Sequence, residues 1–471
     1  MIDYKNIKRI YFLGIGGIGM SALARYFKSM GVLVSGYDKI ETVFTKQLEE
    51  EGIVIHYEDN VEYIDKEASL VVYTPAIPEA NKELNYFLQN NYKLLKRSDV
   101  LGAITNSSYN ICIAGTHGKT TTSTMVAHIL RHSDYGCNAF LGGISVNYNS
   151  NFWQQVPGGS SKKNVSVVEA DEYDRSFLKL SPDVAIISSM DPDHLDIYGT
   201  VEQMEQAFID FSARIKTGGL LLSKYGLKRT EELEAHEHQT YHLNNKNANI
   251  YGSNIQMING SYQFDVVMQY WSITDIVLKM GGLHNIENMI AAISVARYLG
   301  IDNNKIRNAV AAFKGVKRRF EYIVQRDKLI MVDDYAHHPE ELRALLLGAK
   351  NLFPNKKCVV IFQPHLYSRT RDFVDGFAES LSLADEVILL PIYPARELPI
   401  KNISSEIILN KIKNKNKCVM LKENLLKYIT SYSISSFGVN KDGLLLITAG
   451  AGDIDALVEP IKNIINKKIE I

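Results

Sequence analysis

The sequence predicts an α/β protein of three domains. The chain restarts a strand–helix alternation three times, near Arg9, Asn110 and Leu329. Most of its strands are short buried apolar runs, the form strands take when both faces of a parallel sheet are covered. Its length of 471 residues suits roughly two to four domains at about 100–200 residues each. The predicted boundaries are 1–105, a Rossmann-like domain; 106–318, a central P-loop ATPase-like parallel sheet; and 319–471, a second Rossmann-like domain.

The first domain opens with the apolar run Arg9–Leu13, which ends in Gly14. Met20–Phe27 has helical periodicity, Gly31 stops it, and Val32–Asp38 reads as a second strand, completing a βαβ unit. Leu70–Thr74 is another buried strand. The second domain starts with the strand Asn110–Ala114 and a helix from Thr120 to Leu130. Val165–Val168, Val184–Ile187 and Gly219–Leu222 repeat the buried-strand pattern. Asn151–Lys163, rich in Gly, Ser and Lys, predicts a surface loop. Residues 240–280 alternate apolar and polar, predicting an antiparallel addition. After Gly315–Phe320 the third domain follows, with strands at Leu329–Asp334, Cys358–Phe362, Glu386–Leu390 and Leu444–Thr448. The Lys/Asn run 411–417 reads as solvated surface.

Bulk properties exclude several classes. Lys plus Arg is 52 and Asp plus Glu 53, so no overall basic field argues for nucleic acid or an anionic membrane. No apolar run is long enough to insert in a membrane, and the first residues lack a signal-peptide core. Cys112, Cys137, Cys358 and Cys418 form no CxxC, so the expectation is a reduced, cytoplasmic protein.

Two glycine-rich turns carry the first chemistry. Gly115-Thr116-His117-Gly118-Lys119-Thr120-Thr121 follows a strand and opens a helix. Backbone N–H groups at such a helix start hold phosphate oxygens; Lys119 meets the β/γ-phosphates and the Thr120 hydroxyl meets Mg²⁺. Ile113 stands where the strict phosphate-loop pattern has its first glycine, so this loop is a shortened variant. Gly14-Ile15-Gly16-Gly17-Ile18-Gly19 fits G-x-G-x-x-G, with Asp38 at the acid position. Alone it suggests a dinucleotide-dependent oxidoreductase, but its physical content is a diphosphate on a helix N-terminus, which any nucleotide diphosphate can use.

Acids and histidines gather at strand ends, where open α/β sheets bind ligands. Glu169-Ala170-Asp171-Glu172 follows one strand and Asp191-Pro192-Asp193-His194 the next. Glu169 and His194 are candidate Mg²⁺ ligands beside Thr120; the alternative is that the acids cap helices and His194 orients a ligand. In the third domain, Asp334-Tyr335-Ala336-His337-His338-Pro339 and Gln363-Pro364-His365-Leu366-Tyr367-Ser368-Arg369 also end strands.

Together these motifs resemble one family, the ATP-dependent Mur ligases of peptidoglycan synthesis, and within it the alanine-adding branch. The resemblance spans the chain: Gly14–Ala24, Gly115–Thr122, Glu169–Glu172, Asp193-His194, His284–Asn288, Arg318–Glu321, Asp334–Pro339 and Gly450–Asp453. It implies ATP and Mg²⁺ as cofactors, and UDP-N-acetylmuramate and L-alanine as the molecules joined. It implies that Gly16, Gly17, Ile18 and Gly19 lie near the UDP diphosphate, with Asp38, His56, Thr74 and Arg97 around the nucleoside. Residues Gly115 to Thr121 would bind ATP, Thr120, Glu169 and His194 the metal, and Asn288 would approach adenine. Arg319 and Asp334 would reach ATP, and His337, His365, Tyr367 and Arg369 the amino-acid side. The catalytic residues implied are Lys119, His194, His337 and Arg369. Sibling ligases that add later residues carry a carbamylated lysine fourteen residues after the metal histidine; Phe208 stands there in this chain.

Three rival readings remain, the first a ligase too and the others from different classes. A ligase that recycles a ready-made tripeptide shares the Glu169–Asp174 and Ala336–Pro339 motifs but differs at Gly14–Met20. An NAD(P)-dependent oxidoreductase leaves the phosphate loop and later acids without a task. A non-catalytic nucleotide sensor does not require the intact Lys119, Glu169 and His194 set.

Overall fold

Buried apolar strands build three sheets, and the parallel strands of each place their C-termini, and the motifs on them, at one edge. The computed structural model describes residues 7–156, 158–193, 195–258, 260–395, 397–431 and 442–469. The first sheet holds β1 (Arg9–Leu13), β2 (Leu33–Tyr37), β3 (Val54–His56), β4 (Leu70–Tyr73) and β5 (Leu94–Lys96) in the order β3-β2-β1-β4-β5. Every pairing in it is parallel. Helices α1 (Ile18–Ser29), α2 (Val43–Glu50) and α3 (Lys82–Gln89) connect these strands, and α4 (Arg97–Thr105) leads from β5 to the second sheet. Their starts obey local chemistry: the Thr42 hydroxyl accepts from Thr45 N to cap α2, and Asn81 accepts from Leu84 N to cap α3.

The second sheet has the order β15-β14-β13-β12-β11-β10-β6-β9-β7-β8. Its members are β6 (Tyr109–Ala114), β7 (Asn138–Ser145), β8 (Ser150–Trp153), β9 (Val165–Glu169), β10 (Val184–Ile187), β11 (Leu220–Lys224), β12 (Glu237–His242), β13 (Ile250–Ile258), β14 (Ser261–Met268) and β15 (Trp271–Leu278). The helices are α5 (Lys119–His132), α6 (Leu195–Tyr198), α7 (Val201–Ser212), α8 (Leu283–Tyr298) and α9 (Asn303–Ala312). The alternating region 240–280 is mixed: β12 joins β11 in parallel and β13 joins β12 in parallel. Gln269 and Tyr270 alone link β14 to its neighbour β15, a connection only antiparallel strands can use.

One expectation is corrected. Asn151–Lys163 is not a loop throughout, because Asn151–Trp153 belong to β8, paired antiparallel to β7 with Phe152 and Trp153 buried. Asn151 itself is fully buried. Its Nδ2 donates to the Ile18 carbonyl at 2.6 Å and to Ser21 Oγ at 3.1 Å, and its Oδ1 accepts from Arg25 at 2.5 Å. A polar residue enters a core when its hydrogen bonds are met there.

The third sheet has the order β16-β17-β21-β18-β19-β20. It comprises β16 (Glu321–Arg326), β17 (Leu329–Asp334), β18 (Lys357–Phe362), β19 (Glu386–Leu389), β20 (Lys417–Val419) and β21 (Leu444–Ala449). Only the edge strand β16 runs antiparallel to its neighbour. Helices α10 (Pro339–Leu352), α11 (Tyr367–Asp372), α12 (Val374–Leu381), α13 (Ser405–Lys411), α14 (Lys422–Ser431) and α15 (Val458–Ile469) complete it. Pro339 at the first turn and Glu341, which accepts from His337 N and His338 N, start α10.

The chain divides into two compact units: Met1–Asn254, Phe264–Ile276 and Glu287–Phe313; and Ile255–Gln263, Val277–Ile286 and Lys314–Ile471. Within the first unit one core joins the first two sheets: Ile10, Phe12, Phe27 and Val72 cluster with Phe140, Phe152, Val168 and Phe177. Among the described residues no helix is long and apolar enough to cross a membrane.

Candidate active site

The phosphate loop is held by hydrogen bonds to the residues that follow β10. Thr116 N donates to the Ser189 carbonyl at 3.3 Å, His117 N to Ser189 Oγ at 2.7 Å, and Ser188 Oγ to the Ala114 carbonyl at 3.1 Å. Gly118 has φ of +83°, a left-handed conformation that side chains resist, and a Cβ there would lie 2.9 Å from Asn288 Oδ1. Asn288 is thus brought against the loop from α8. Thr121 is buried in the first turn of α5, and the His117 side chain is exposed, 3.8 Å from Asp191.

Lys119 Nζ donates to the Gly115 carbonyl and to Glu172 Oε1, both at 2.7 Å. Thr120 Oγ1 donates to Glu169 Oε1 at 2.9 Å, and Glu169 Oε2 accepts from Gly142 N at 2.9 Å. Burial pushes the carboxyl groups of Glu169 and Glu172 above their ordinary range, with Lys119 opposing. A buried carboxylate beside a hydroxyl is a hard-oxygen donor pair that fits Mg²⁺ and that a cation relieves. Among the described residues no three or more His, Cys, Asp or Glu side chains converge on a metal position. Mg²⁺ needs fewer, because it retains waters and takes phosphate oxygens. His194, expected as metal ligand and catalytic group, lies outside the described residues. Phe208 is fully buried against Phe177, 5.4 Å between ring centroids, so an apolar contact occupies the siblings' lysine position.

The glycine turn of the first sheet gathers three of its four nucleoside candidates around itself. Gly16 N donates to Asp38 Oδ2 at 2.7 Å. Cβ atoms built on Gly14 and Gly19 would lie 2.7 Å from Thr74 Cγ2 and 2.5 Å from Arg97 Nη1. Gly17 caps α1 and Ile18 opens it. His56, at the end of β3, joins a different network: its Nε2 lies 2.7 Å from Tyr11 Oη, which lies 2.6 Å from Glu83 Oε2. Arg97 also pairs with Asp171 at 3.3 Å. A cleft lined by Ile18, Gly19, Arg97, Phe140, Gly142 and Glu169 therefore links the glycine-turn helix to the carboxylate beside the phosphate loop.

In the second unit, Asp334 accepts from Phe320 N at 2.6 Å and Ala336 N at 2.8 Å, and burial pushes its carboxyl up to about 6. Arg319 lies over the Tyr335 ring at 5.5 Å, while the neighbouring Arg318 is held by the Gly450 carbonyl and Asp333. His337 Nδ1 meets the Tyr335 carbonyl at 2.9 Å, so that nitrogen carries the proton and Nε2 is left as an acceptor. The His365 ring lies 6.1 Å from that of His337. Burial lowers both imidazoles, and with Arg369 and His337 nearby His365 falls to about 4, so both are neutral at pH 7. Tyr367 and Arg369 are partly buried on α11.

Sequence reasoning did not assign Glu172, which neutralises Lys119, nor Ser188 and Ser189, which pin the loop. The signal was present for each: an acid three residues beyond Glu169, and hydroxyls directly after β10, both at strand C-termini.

The family profile "Mur ligase family, catalytic domain" matches residues 9–109, "Mur ligase middle domain" 113–296, and "Mur ligase, glutamate ligase domain" 318–450. The chain is 45% identical to UDP-N-acetylmuramate–L-alanine ligase of Flavobacterium johnsoniae, over 99% of this chain and 100% of that one. The chain belongs to the Mur ligase family. The same-named Mur ligase of Parabacteroides distasonis is 46% identical over 99% of both chains. Among solved Mur ligase structures, UDP-N-acetylmuramate–alanine ligase of Thermotoga maritima matches with a TM-score of 0.81 at 28% identity, covering 98% of this chain and 99% of that one. A murein peptide ligase of Psychrobacter arcticus matches with a TM-score of 0.67 at 22% identity, covering 97% and 99%, a likeness of fold.

Proposed function

We propose that this Mur ligase joins L-alanine to the lactyl carboxylate of UDP-N-acetylmuramate, with conversion of ATP to ADP and phosphate. The observation that carries the proposal is the Lys119–Thr120–Glu169–Glu172 constellation on the phosphate loop, opening on the cleft that reaches the glycine turn. The full-length identity to alanine ligases supports the amino acid and the sugar nucleotide.

The carboxylate oxygen takes the γ-phosphoryl group and ADP leaves. The amine nitrogen then attacks the acyl carbon, the tetrahedral adduct expels inorganic phosphate, and the nitrogen loses a proton. The first step brings two anions together, and Lys119 supplies a positioned cation there. Thr120 and Glu169 would hold Mg²⁺, which when bound adds charge neutralisation at the phosphates. The backbone N–H groups at the start of α5, from Gly118 to Thr121, cradle phosphate oxygens, while those of Thr116 and His117 are held by Ser189. Gly16 to Gly19 take the UDP diphosphate at the start of α1, with Asp38, Thr74 and Arg97 around it. His337, neutral and with Nε2 free to accept, takes the proton from the amine. Arg369 holds the amino-acid carboxylate. The four free cysteines accord with a cytoplasmic setting.

The test is phosphate release by the purified protein with ATP, UDP-N-acetylmuramate and, separately, L-alanine, glycine, L-serine or tripeptide. Release that depends on L-alanine is expected. Release with tripeptide alone makes the protein a recycling ligase instead, and hydride transfer to NAD without ATP use overturns the reading entirely.

A further inference from the structure

The motif Gly450–Asp453 and the residue Gln363 are not used by the reaction as described above, yet they meet at the C-terminal edge of the third sheet. Gln363 follows β18 and is 2% exposed. Its Nε2 donates to Asp453 Oδ1 at 2.9 Å. A carboxylate only accepts, and Lys422 pairs with the same oxygen, so the amide must turn its nitrogen toward Asp453. Its carbonyl therefore faces the other way, and Gln363 Oε1 is buried with no hydrogen-bond partner among the described residues.

A buried acceptor left without a donor is costly, and where other orphaned polar atoms lie beside it a polar ligand can supply the donor. The surroundings define the ligand. A Cβ built on Gly452 would lie 2.6 Å from Gln363 Oε1 and 2.6 Å from Tyr393 Cβ, so the glycine permits the amide to stand there. The Tyr393 ring stacks on His365 at 5.7 Å and 19°. His365 Nδ1 and Arg369 Nη1 are likewise buried without partners among the described residues. This neighbourhood thus offers an uncharged acceptor together with a cationic donor, the pairing an α-amino acid requires.

We propose that Gln363, turned by Asp453 and admitted by Gly452, is a positioning residue that accepts an N–H of the attacking amine of the amino-acid substrate. An amide carbonyl suits this task better than a carboxylate. A carboxylate stabilises the protonated ammonium, which has no lone pair to attack with, whereas an amide orients the N–H without favouring its positive charge. The proposal rests on the ligase reading above.

The experiment compares wild type with Gln363→Met, which keeps the length and removes the acceptor, and with Gln363→Asn, which withdraws the acceptor by one methylene. Steady-state phosphate release is measured while each of the three substrates is varied in turn. The expected result is a KM for L-alanine raised about tenfold or more, the effect of one lost hydrogen bond to a polar ligand. The KM values for ATP and UDP-N-acetylmuramate should stay within about twofold, and both variants should keep a cooperative thermal transition, since Gln363→Met removes the unsatisfied acceptor together with the Nε2 bond to Asp453. An unchanged KM for L-alanine in the folded variants, or a rise confined to the KM for ATP, overturns the assignment. A wild type that shows no alanine-dependent release overturns the ligase reading itself, so the two failures are told apart.

Discussion

Lys119, partly buried, directs its charge at the fully buried Glu172, so the cation proposed to act on ATP is stored against a carboxylate. Removing one member of such a pair strands the other, at about 3–5 kcal/mol. Lys119→Ala is therefore expected to lower turnover by about 10²–10³-fold or more, in the range found when one preorganised charge-stabilising group is lost, and to lower the unfolding temperature as well. Adding Glu172→Gln separates the two effects. The double variant recovers the stability, read by denaturant unfolding, and does not recover turnover; a double variant with restored turnover refutes the role given to Lys119. At this scale the sequence was informative. A lysine between glycine and threonine, after a strand and before a helix, has few other uses. Glu172 was less legible because Glu169 ends β9 and three more acids follow it, and only the backbone path decides which one faces the lysine.

At the scale of elements, β1, β3 and α3 share a proton chain. His56 Nδ1 meets the Glu58 carbonyl at 2.9 Å, which leaves Nε2 to accept from Tyr11. Tyr11 has one proton and two acceptors, a conflict that ends when Glu83 is protonated and donates to Tyr11 in turn. Burial pushes the Glu83 carboxyl up to about 7, in keeping with that chain. A carboxyl raised in the folded state lends stability that is complete below about 4.5 and lost as the pH rises through about 7. Glu83→Gln reproduces the protonated form, so its unfolding temperature should fall less than that of wild type between about pH 5 and pH 8. Parallel curves would refute the proton chain. Between α1 and β8, Asn151→Ala leaves Arg25 and the Ile18 carbonyl without their buried partner and is expected to cost about 2–4 kcal/mol in urea unfolding. A cost under about 0.5 kcal/mol, usual for surface changes, would show that the contact does not hold the two elements together. Nothing in Asn151 distinguishes it from the polar residues that follow. Its burial depends on α1, more than a hundred residues earlier.

For the whole molecule, alternating strands and helices sufficed to predict three α/β layers, because burial on both faces of a parallel sheet leaves a continuous apolar signature. They did not predict that the first two sheets share a core. Tyr26 of α1 packs against Phe140 and Phe152 of the second sheet at 5.5 and 6.0 Å. Residues 1–105 expressed alone are thus expected to expose this face and to show no cooperative thermal transition; a cooperative transition in that fragment would mean that its own core is sufficient. The sequence by itself determined which residues can do chemistry, since phosphate loops, capping turns and acids at strand ends are local patterns set by backbone geometry over a few residues. Only the tertiary structure decided which of them act together: Lys119 with Glu172, Asn151 with Arg25, Gln363 with Asp453. Each pair is separated by tens of residues or more, and a hydrogen bond depends on distance and direction in space, which no local pattern contains.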